Sequence, residues 1–152
     1  MRVLIYPAVV AVALLHCGTA LAQPSEFDYQ KVSGGVSEKK MRAVYDLIPN
    51  PTGDVKKARL AIFKAMQNTK GTAWLLENEG DGYVLARWDY KGHAIIHRIE
   101  YTADAVQIKY AGGVNEYQCK ILKGDYCYKT HRNYYKYNRS LVKELKRALG
   151  SV

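Results

Sequence analysis

The chain has 152 residues, the length of a single domain, and its formal net charge is +9. This length excludes an assembly of several large domains. A basic protein can meet nucleic acid, anionic lipid or an acidic cell-wall polymer, and its charge can also serve only to keep it in solution.

Residues 1–22 have the marks of a secretory signal. Arg2 precedes an apolar run from Val3 to Leu15, and Ala20 and Ala22 are the small residues before the expected cleavage after Ala22. A membrane anchor is the alternative, but a run of about 13 residues is shorter than the roughly 20 that a spanning helix needs. Cleavage leaves a mature chain of about 130 residues, enough for one modest core.

Cys17 leaves a second route open. Leu14 fits the lipidation motif of bacterial lipoproteins, but His16 stands directly before the cysteine, where a small residue is expected. We therefore expect a periplasmic or secreted protein, with lipid anchoring through Cys17 as the less favoured alternative.

Two further cysteines, Cys119 and Cys127, predict a disulfide in an oxidising compartment. A three-residue hairpin loop, Leu122 to Gly124, makes Ile121 face Asp125 and makes Cys119 face Cys127 directly. The alternative, two metal-binding thiols, lacks a CxxC spacing and a second ligand pair.

Residues 23–53 form a polar lead-in segment of uncertain fold. Residues 37–48 fit a short helix with Ser37 as its N-cap and Met41, Val44 and Ile48 on one side, and residues 42–48 fit a strand equally well. The "PNPTGD" stretch then predicts a turn that separates this segment from the helix that follows.

Asp54 is a good N-cap for a helix over residues 55–69. Apolar residues at three- and four-residue spacing form its expected buried face. They are Val55, Ala58, Ile62, Ala65 and Met66.

The period then changes to two, which predicts four strands joined by short turns, over residues 73–79, 83–90, 93–101 and 106–110. Such connections are typical of an antiparallel meander. On the second strand Val84, Ala86, Trp88 and Tyr90 share one face, and a small hairpin follows the fourth strand.

The last segment predicts a helix that Gly150 ends. Its expected buried face consists of Tyr134, Asn138, Leu141, Leu145 and Ala148. The fold class is therefore α+β, a two-layer sandwich in which an antiparallel four-stranded meander has the N-terminal and C-terminal helices on one face. Residues 54–152 form the single domain.

These residues resemble a family of small exported bacterial proteins, many of them lipoproteins. The resemblance covers roughly residues 55–149, and the matching positions are Ile62, Ala65, Trp74, Gly82, Arg87, His93, Ile99, Tyr101, Ile108, Tyr110, His131, Tyr134, Asn138, Leu141 and Leu145. It implies an envelope location. The family has no established activity from which catalytic residues could be carried over, and this chain departs from it at Cys17 and in the expected disulfide.

His93 and His97 lie four residues apart, but on a strand that spacing is about 13 Å, too far to share one metal ion. We expect no metal and no cofactor. His93 is expected to order the strand end or turn, and His97, beside Ile95 and Ile99, to be a partly buried structural histidine.

His131 stands at the entry of the last helix and is expected to fix its start. The alternative pairs His131 with His97 or His93 as acid and base of a secreted phosphodiesterase or ribonuclease, with a cation on the phosphate. No nucleophile elbow, phosphate loop or paired carboxylates point to another reaction.

Tyrosines alternate with basic residues in "YKTHRNYYKYNRS", a mixture that can bind anionic polymers by stacking and charge. Tyr134 is expected to pack, and Tyr135 and Tyr137 to be exposed. The binding candidates are Tyr128, Arg132, Tyr135, Tyr137 and Arg139. The favoured function is binding or structural rather than enzymatic, with an envelope protein or an anionic cell-wall or nucleic-acid polymer as the partner.

Overall fold

The computed structural model describes residues 40–71 and 73–152, which fold as α+β with two helices and two antiparallel sheets. The elements are β1 (Met41–Ala43), β2 (Tyr45–Pro49), α1 (Val55–Asn68), β3 (Leu75–Gly80), β4 (Tyr83–Tyr90), β5 (His93–Tyr101), β6 (Ala105–Val114), β7 (Ile121–Lys123), β8 (Tyr126–Tyr128) and α2 (Asn133–Leu149). A 3-10 turn over Asn115–Tyr117 connects β6 to β7. The expected signal, its cleavage after Ala22, and Cys17 lie outside the described residues.

The larger sheet has five strands in the order β2-β6-β5-β4-β3, rather than the four expected. The antiparallel meander of β3 to β6 is present, and β2 joins it by pairing antiparallel with β6, where Ile48 faces Val106. Residues 41–48 are therefore strands rather than a helix. The chain that the sequence places in a lead-in segment contributes to both sheets.

Both helices begin and pack as their sequences predict. The Asp54 side chain accepts hydrogen bonds from the backbone N–H groups of Lys56 and Lys57, at 2.7 and 3.2 Å. These N–H groups have no partner within the helix, so the cap stabilises the start of α1. All five residues of the expected buried face of α2 are buried, and the α1 face is buried except for Val55, which is exposed.

One hydrophobic core joins the helices to one face of the larger sheet. Buried residues of β4, β5 and β6 form a single cluster with those of α1 and α2. Strand β5 lies in the middle of the sheet and contributes Ile95 and Ile99. Tyr90, expected on the buried face, is 55% exposed because it is the last residue of β4 and lies beyond Trp88, the last buried position of that strand.

The smaller sheet has the order β1-β8-β7 and carries the disulfide. Cys119 and Cys127 are bonded, with 5.8 Å between their Cα atoms. The expected hairpin register is wrong. Cys127 faces Leu122, because Lys123 pairs with Tyr126 and leaves only two residues in the loop. Cys119 thus precedes the paired strands and reaches Cys127 from outside the β7–β8 ladder.

Candidate functional site

A cluster of aromatic rings surrounds Tyr117, which the 3-10 turn places under the start of α2. Tyr117 is 4% exposed, and its ring centroid lies 5.2 Å from His131, 5.3 Å from Trp88, and 6.1 Å from both His93 and Tyr137. Burial, followed by a hydrogen bond with Tyr137, raises the pKa of Tyr117 to about 12. Tyr117 therefore stays neutral at neutral pH, and its ring lies between His131, which lines one surface cavity, and Trp88 and Tyr137, which line another.

His131 lies on one side of the Tyr117 ring. Its Nδ1 accepts a hydrogen bond from the backbone N–H of Asn133 at 3.3 Å, and the backbone N–H of His131 donates to the Glu116 carbonyl at 3.1 Å. Its Nε2 lies 3.7 Å from the Glu116 carboxylate, a partner that the sequence did not indicate. His131 therefore orders the start of α2 and also faces a cavity of about 610 Å³. That cavity is lined by Asn115, Glu116, Gln118, Cys119, Lys120, Lys129, Thr130 and His131.

His97 lies in the core and has different neighbours. It is 0% exposed, its ring stacks on Trp74 with 4.8 Å between centroids, and Tyr134 lies 5.6 Å away. The Nδ1 atom is 3.3 Å from the Lys109 carbonyl oxygen, while Nε2 is buried without a partner in the described residues. Burial lowers the pKa of His97 to about 4. His97 is therefore a neutral core residue at neutral pH.

The structure does not gather three ligands around either strand histidine. His93 faces Tyr90, and His97 faces Ala86, four positions further along the β4–β5 ladder. Within residues 40–71 and 73–152, no group of three or more His, Cys, Asp or Glu side chains could hold a metal ion.

The tyrosines among the binding candidates do not form one exposed surface. Tyr137 packs on Trp88 at 4.5 Å, and the Arg42 guanidinium covers the Tyr135 ring at 3.7 Å, so both tyrosines are half-buried rather than exposed. Tyr128 pairs within the smaller sheet, opposite Ile121. The rings of Tyr135 and Tyr137 therefore pack α2 onto the two sheets.

The cations of this segment do form one surface. We call it the α2 stripe; it consists of Arg132, Lys136, Arg139, Lys143 and Lys146. The spacing alternates between four and three residues, which places all five on the side of the helix opposite its buried face. All five are exposed, and none has an acidic partner within 4.0 Å in the described part of the chain.

A second cavity, of about 510 Å³, lies on the other side of Tyr117 and is called the aromatic groove here. It is lined by Gly71, Ala73, Leu75, Trp88, Asp89, Tyr90 and Tyr137. The Trp88 and Tyr90 rings are 6.2 Å apart with 26° between their planes, and of the two only Tyr90 is exposed. Asp89 also lines the cavity, and its carboxylate accepts hydrogen bonds from Arg87 at 2.6 and 3.0 Å.

No protein-family model, curated protein or solved structure matches the chain. The resemblance to small exported bacterial proteins therefore remains a prediction drawn from scattered positions. None of the helices in the described residues is long and apolar enough to cross a membrane.

Proposed function

We propose that the mature chain is an exported envelope protein that binds a linear anionic polymer along the α2 stripe and catalyses no reaction. The signal-like residues 1–22 support export, and the Cys119–Cys127 bond is compatible with an oxidising compartment. The observation that carries the binding proposal is the single row of five exposed cations, none of which has an acidic partner among the described residues.

The geometry of the stripe fits a linear partner. From Arg132 to Lys146 the row extends about 21 Å at the rise of an α-helix. The packing of α1 on α2 supports a two-layer arrangement in which both helices cover one sheet face and the stripe faces outward. A polyanion lying along α2 can meet every cation of the row and release its condensed counterions.

A membrane surface is a less suitable partner. Helices that lie in a bilayer interface insert an apolar face below the headgroups. The apolar face of α2, with Tyr134, Leu141 and Leu145, is fully buried in the protein core. Only charge is left for the lipid, whereas a linear polymer needs nothing more than charge.

The alternative is a secreted phosphodiesterase or ribonuclease that uses His97 and His131. An acid–base pair must reach the same phosphate from two sides. The rings of these histidines contact different neighbours, Trp74 and Tyr134 in one case and Tyr117 in the other, and His97 is inaccessible to solvent. This geometry favours binding, and a separate cleavage assay on an oligoribonucleotide tests the enzyme.

Neutralising the middle of the stripe is expected to weaken polyanion binding. Binding of a fluorescent oligothymidylate, measured by anisotropy at several salt concentrations, serves as the test. Arg139→Gln/Lys143→Gln should weaken binding on the order of tenfold and should reduce the slope of log K against log salt by about 1.4, because two contacts are lost.

Lys56→Gln/Lys57→Gln removes the same charge from the exposed start of α1 and is the matched control. It should bind like the wild type. Equal loss in both variants would mean that net charge acts alone, and would overturn the proposal. Cleavage of an oligoribonucleotide by the wild type that His131→Ala abolishes would support the enzyme instead.

A further inference from the structure

Strand β3 is an edge of the larger sheet with nothing paired on its outer side in the described residues. Its one ladder partner is β4, and every residue from Leu75 to Glu79 is exposed. The outward N–H and C=O groups of such a strand are a template for another extended chain. Leu75 and Leu76 add apolar side chains to this edge, 56% and 49% exposed.

The other edge of the sheet is less suited to pairing. Strand β2 ends in Pro49, which has no N–H to donate, and its Asp46 side chain accepts a hydrogen bond from Asn138 of α2 at 2.6 Å. Strand β3 contains neither proline nor lysine, the residues with which proteins commonly block an edge. Among the described residues, the pairing surface that remains open is therefore β3, although its register with β4 shifts between Leu76 and Asn78.

The aromatic groove lies at the start of this edge. Leu75 is both the first residue of β3 and part of the groove wall, and the exposed ring of Tyr90 stands beside it. A strand added next to β3 lies about 4.8 Å away and sends alternate side chains to each face. One of those side chains can enter the groove and contact the rings of Tyr90 and Tyr137.

The β3 edge and the adjoining end of β4, called the corner here, differ in charge from the rest of the protein. The carboxylates of the corner are Glu77, Glu79, Asp81 and Asp89. Arg59 binds Glu79 through contacts of 2.7 to 3.1 Å, and Arg87 binds Asp89 and lies 3.5 Å from Glu77. Two guanidinium groups, together with the Lys91 ammonium 5.2 Å from the Tyr90 ring, thus accompany four carboxylates, in a chain whose net charge is +9. The corner attracts a cationic segment, which the rest of the surface repels.

A second copy of the chain is a poorer occupant. Antiparallel pairing of two β3 strands about a two-fold axis would bring Glu77 and Glu79 of one copy close to the same carboxylates of the other, and like charges across a strand pair are destabilising. A basic partner meets the same carboxylates with opposite charge.

We propose that the β3 edge and the aromatic groove bind an extended basic peptide segment by strand addition, with one aromatic side chain of the peptide in the groove. Main-chain hydrogen bonds supply the affinity in this mode, and the groove and carboxylates supply the specificity. This site is separate from the α2 stripe and takes a ligand of opposite charge, so the two proposals stand or fall independently.

The probe is a synthetic peptide that alternates lysine with valine around one central tryptophan, labelled with a fluorophore. Leu76→Lys places a blocking cation on the edge, and Tyr90→Ala removes the exposed ring of the groove. Each should weaken binding by about tenfold or more, the scale of a lost interface anchor. Leu60→Lys adds the same charge at an exposed leucine of α1 and should bind like the wild type.

Two altered peptides complete the test. Methylation of alternate backbone nitrogens should abolish binding because it removes the ladder donors, and glutamate in place of lysine should do the same through charge. Equal binding of the methylated peptide, or equal loss in Leu60→Lys, would overturn the proposal. A dimer in sedimentation that Leu76→Lys dissociates would also overturn it and assign the edge to a second copy.

Discussion

Between pH 7 and pH 4 the protein is expected to lose about 3 kcal/mol of folding stability through His97 alone. Burial against Trp74 and Tyr134 lowers the pKa of His97 to about 4, while an unfolded chain leaves a histidine at its ordinary value of 6.5. Protonation in the folded state would place a charge in the core, with Nε2 lacking a partner in the described residues.

The direction follows from proton binding. Between pH 6.5 and pH 4 the unfolded chain binds a proton at His97 that the folded chain does not bind. Stability therefore rises with pH across this window, is fully present above pH 6.5, and loses no more through this group once the pH falls below 4.

Urea denaturation of the oxidised protein at pH 7, 5.5 and 4 measures this effect. His97→Phe keeps an aromatic ring against Trp74 and should remove the His97 part of the pH dependence. Asp54 and Glu100 also have lowered pKa values in the folded state. Backbone N–H groups of Lys57 and Lys56 cause the shift in Asp54; burial raises the pKa of Glu100, but hydrogen bonds from Arg98 and Lys109 outweigh it. Both contributions remain in the variant.

The difference between the wild type and His97→Phe therefore isolates His97. His93→Phe, a substitution at the half-buried end of the same strand, is the matched control and should leave the wild-type pH dependence in place. If the wild type and His97→Phe lose the same stability between pH 7 and pH 4, the buried neutral histidine is refuted.

The elements that the sequence predicts well are those with one clear period. The three- and four-residue spacing from Ala58 to Met66 fits only a helix, and the alternation along β4 fits only a strand. Residues 41–48 are different. Val44 and Ile48 are four apart, which puts them on one side of a helix and also on one face of a strand. Only pairing with β6, far along the chain, decides between the two.

The register of the β7–β8 hairpin is a second feature that the sequence does not determine. Gly124 fits the turn in either register, and the structure confirms a positive φ of 52° there. In the observed two-residue loop, the Asp125 carbonyl accepts a hydrogen bond from the N–H of Val44 at 2.8 Å. Val44 lies between β1 and β2, so no local rule could include this contact.

The functional surfaces also differ in how far the sequence predicts them. The α2 stripe can be found in the sequence because its positions depend only on helical geometry. Other features depend on how distant segments meet in the fold. They are the ring contacts of Tyr117, the Glu116 partner of His131 and the open edge of β3. A single sequence carries no signal for them, because a tyrosine within a 3-10 turn looks like any other loop tyrosine.

Reduction of the Cys119–Cys127 bond is expected to cost about 2.5 kcal/mol of folding stability, because it releases a loop of the unfolded chain that the bond had closed. The two cysteines are eight positions apart. Cys127 is fully buried, whereas Cys119 is half-buried and lines the 610 Å³ cavity. A thiolate reductant is therefore expected to attack the sulfur of Cys119 first.

The loss should also be visible at the aromatic cluster. The Cys119 N–H donates to the Tyr110 hydroxyl at 3.0 Å, and that hydroxyl donates to the Tyr117 carbonyl at 3.1 Å. Freeing Cys119 loosens this chain of hydrogen bonds and the Tyr117 ring that packs on Trp88. Tryptophan fluorescence of the folded, reduced protein should therefore differ from that of the oxidised protein.

Urea denaturation with and without a phosphine reductant separates the bond from side effects. The free energy of unfolding of the wild type should fall on reduction. That of Cys119→Ala/Cys127→Ala should be close to the value of the reduced wild type and should not change with the reductant. An oxidised wild type lighter than the reduced form by two hydrogen atoms confirms the bond by mass. Because the bond acts mainly on the unfolded chain, its removal should lower the denaturation midpoint without abolishing the native fold. An unchanged midpoint on reduction would show that the β7–β8 hairpin is held by its packing alone.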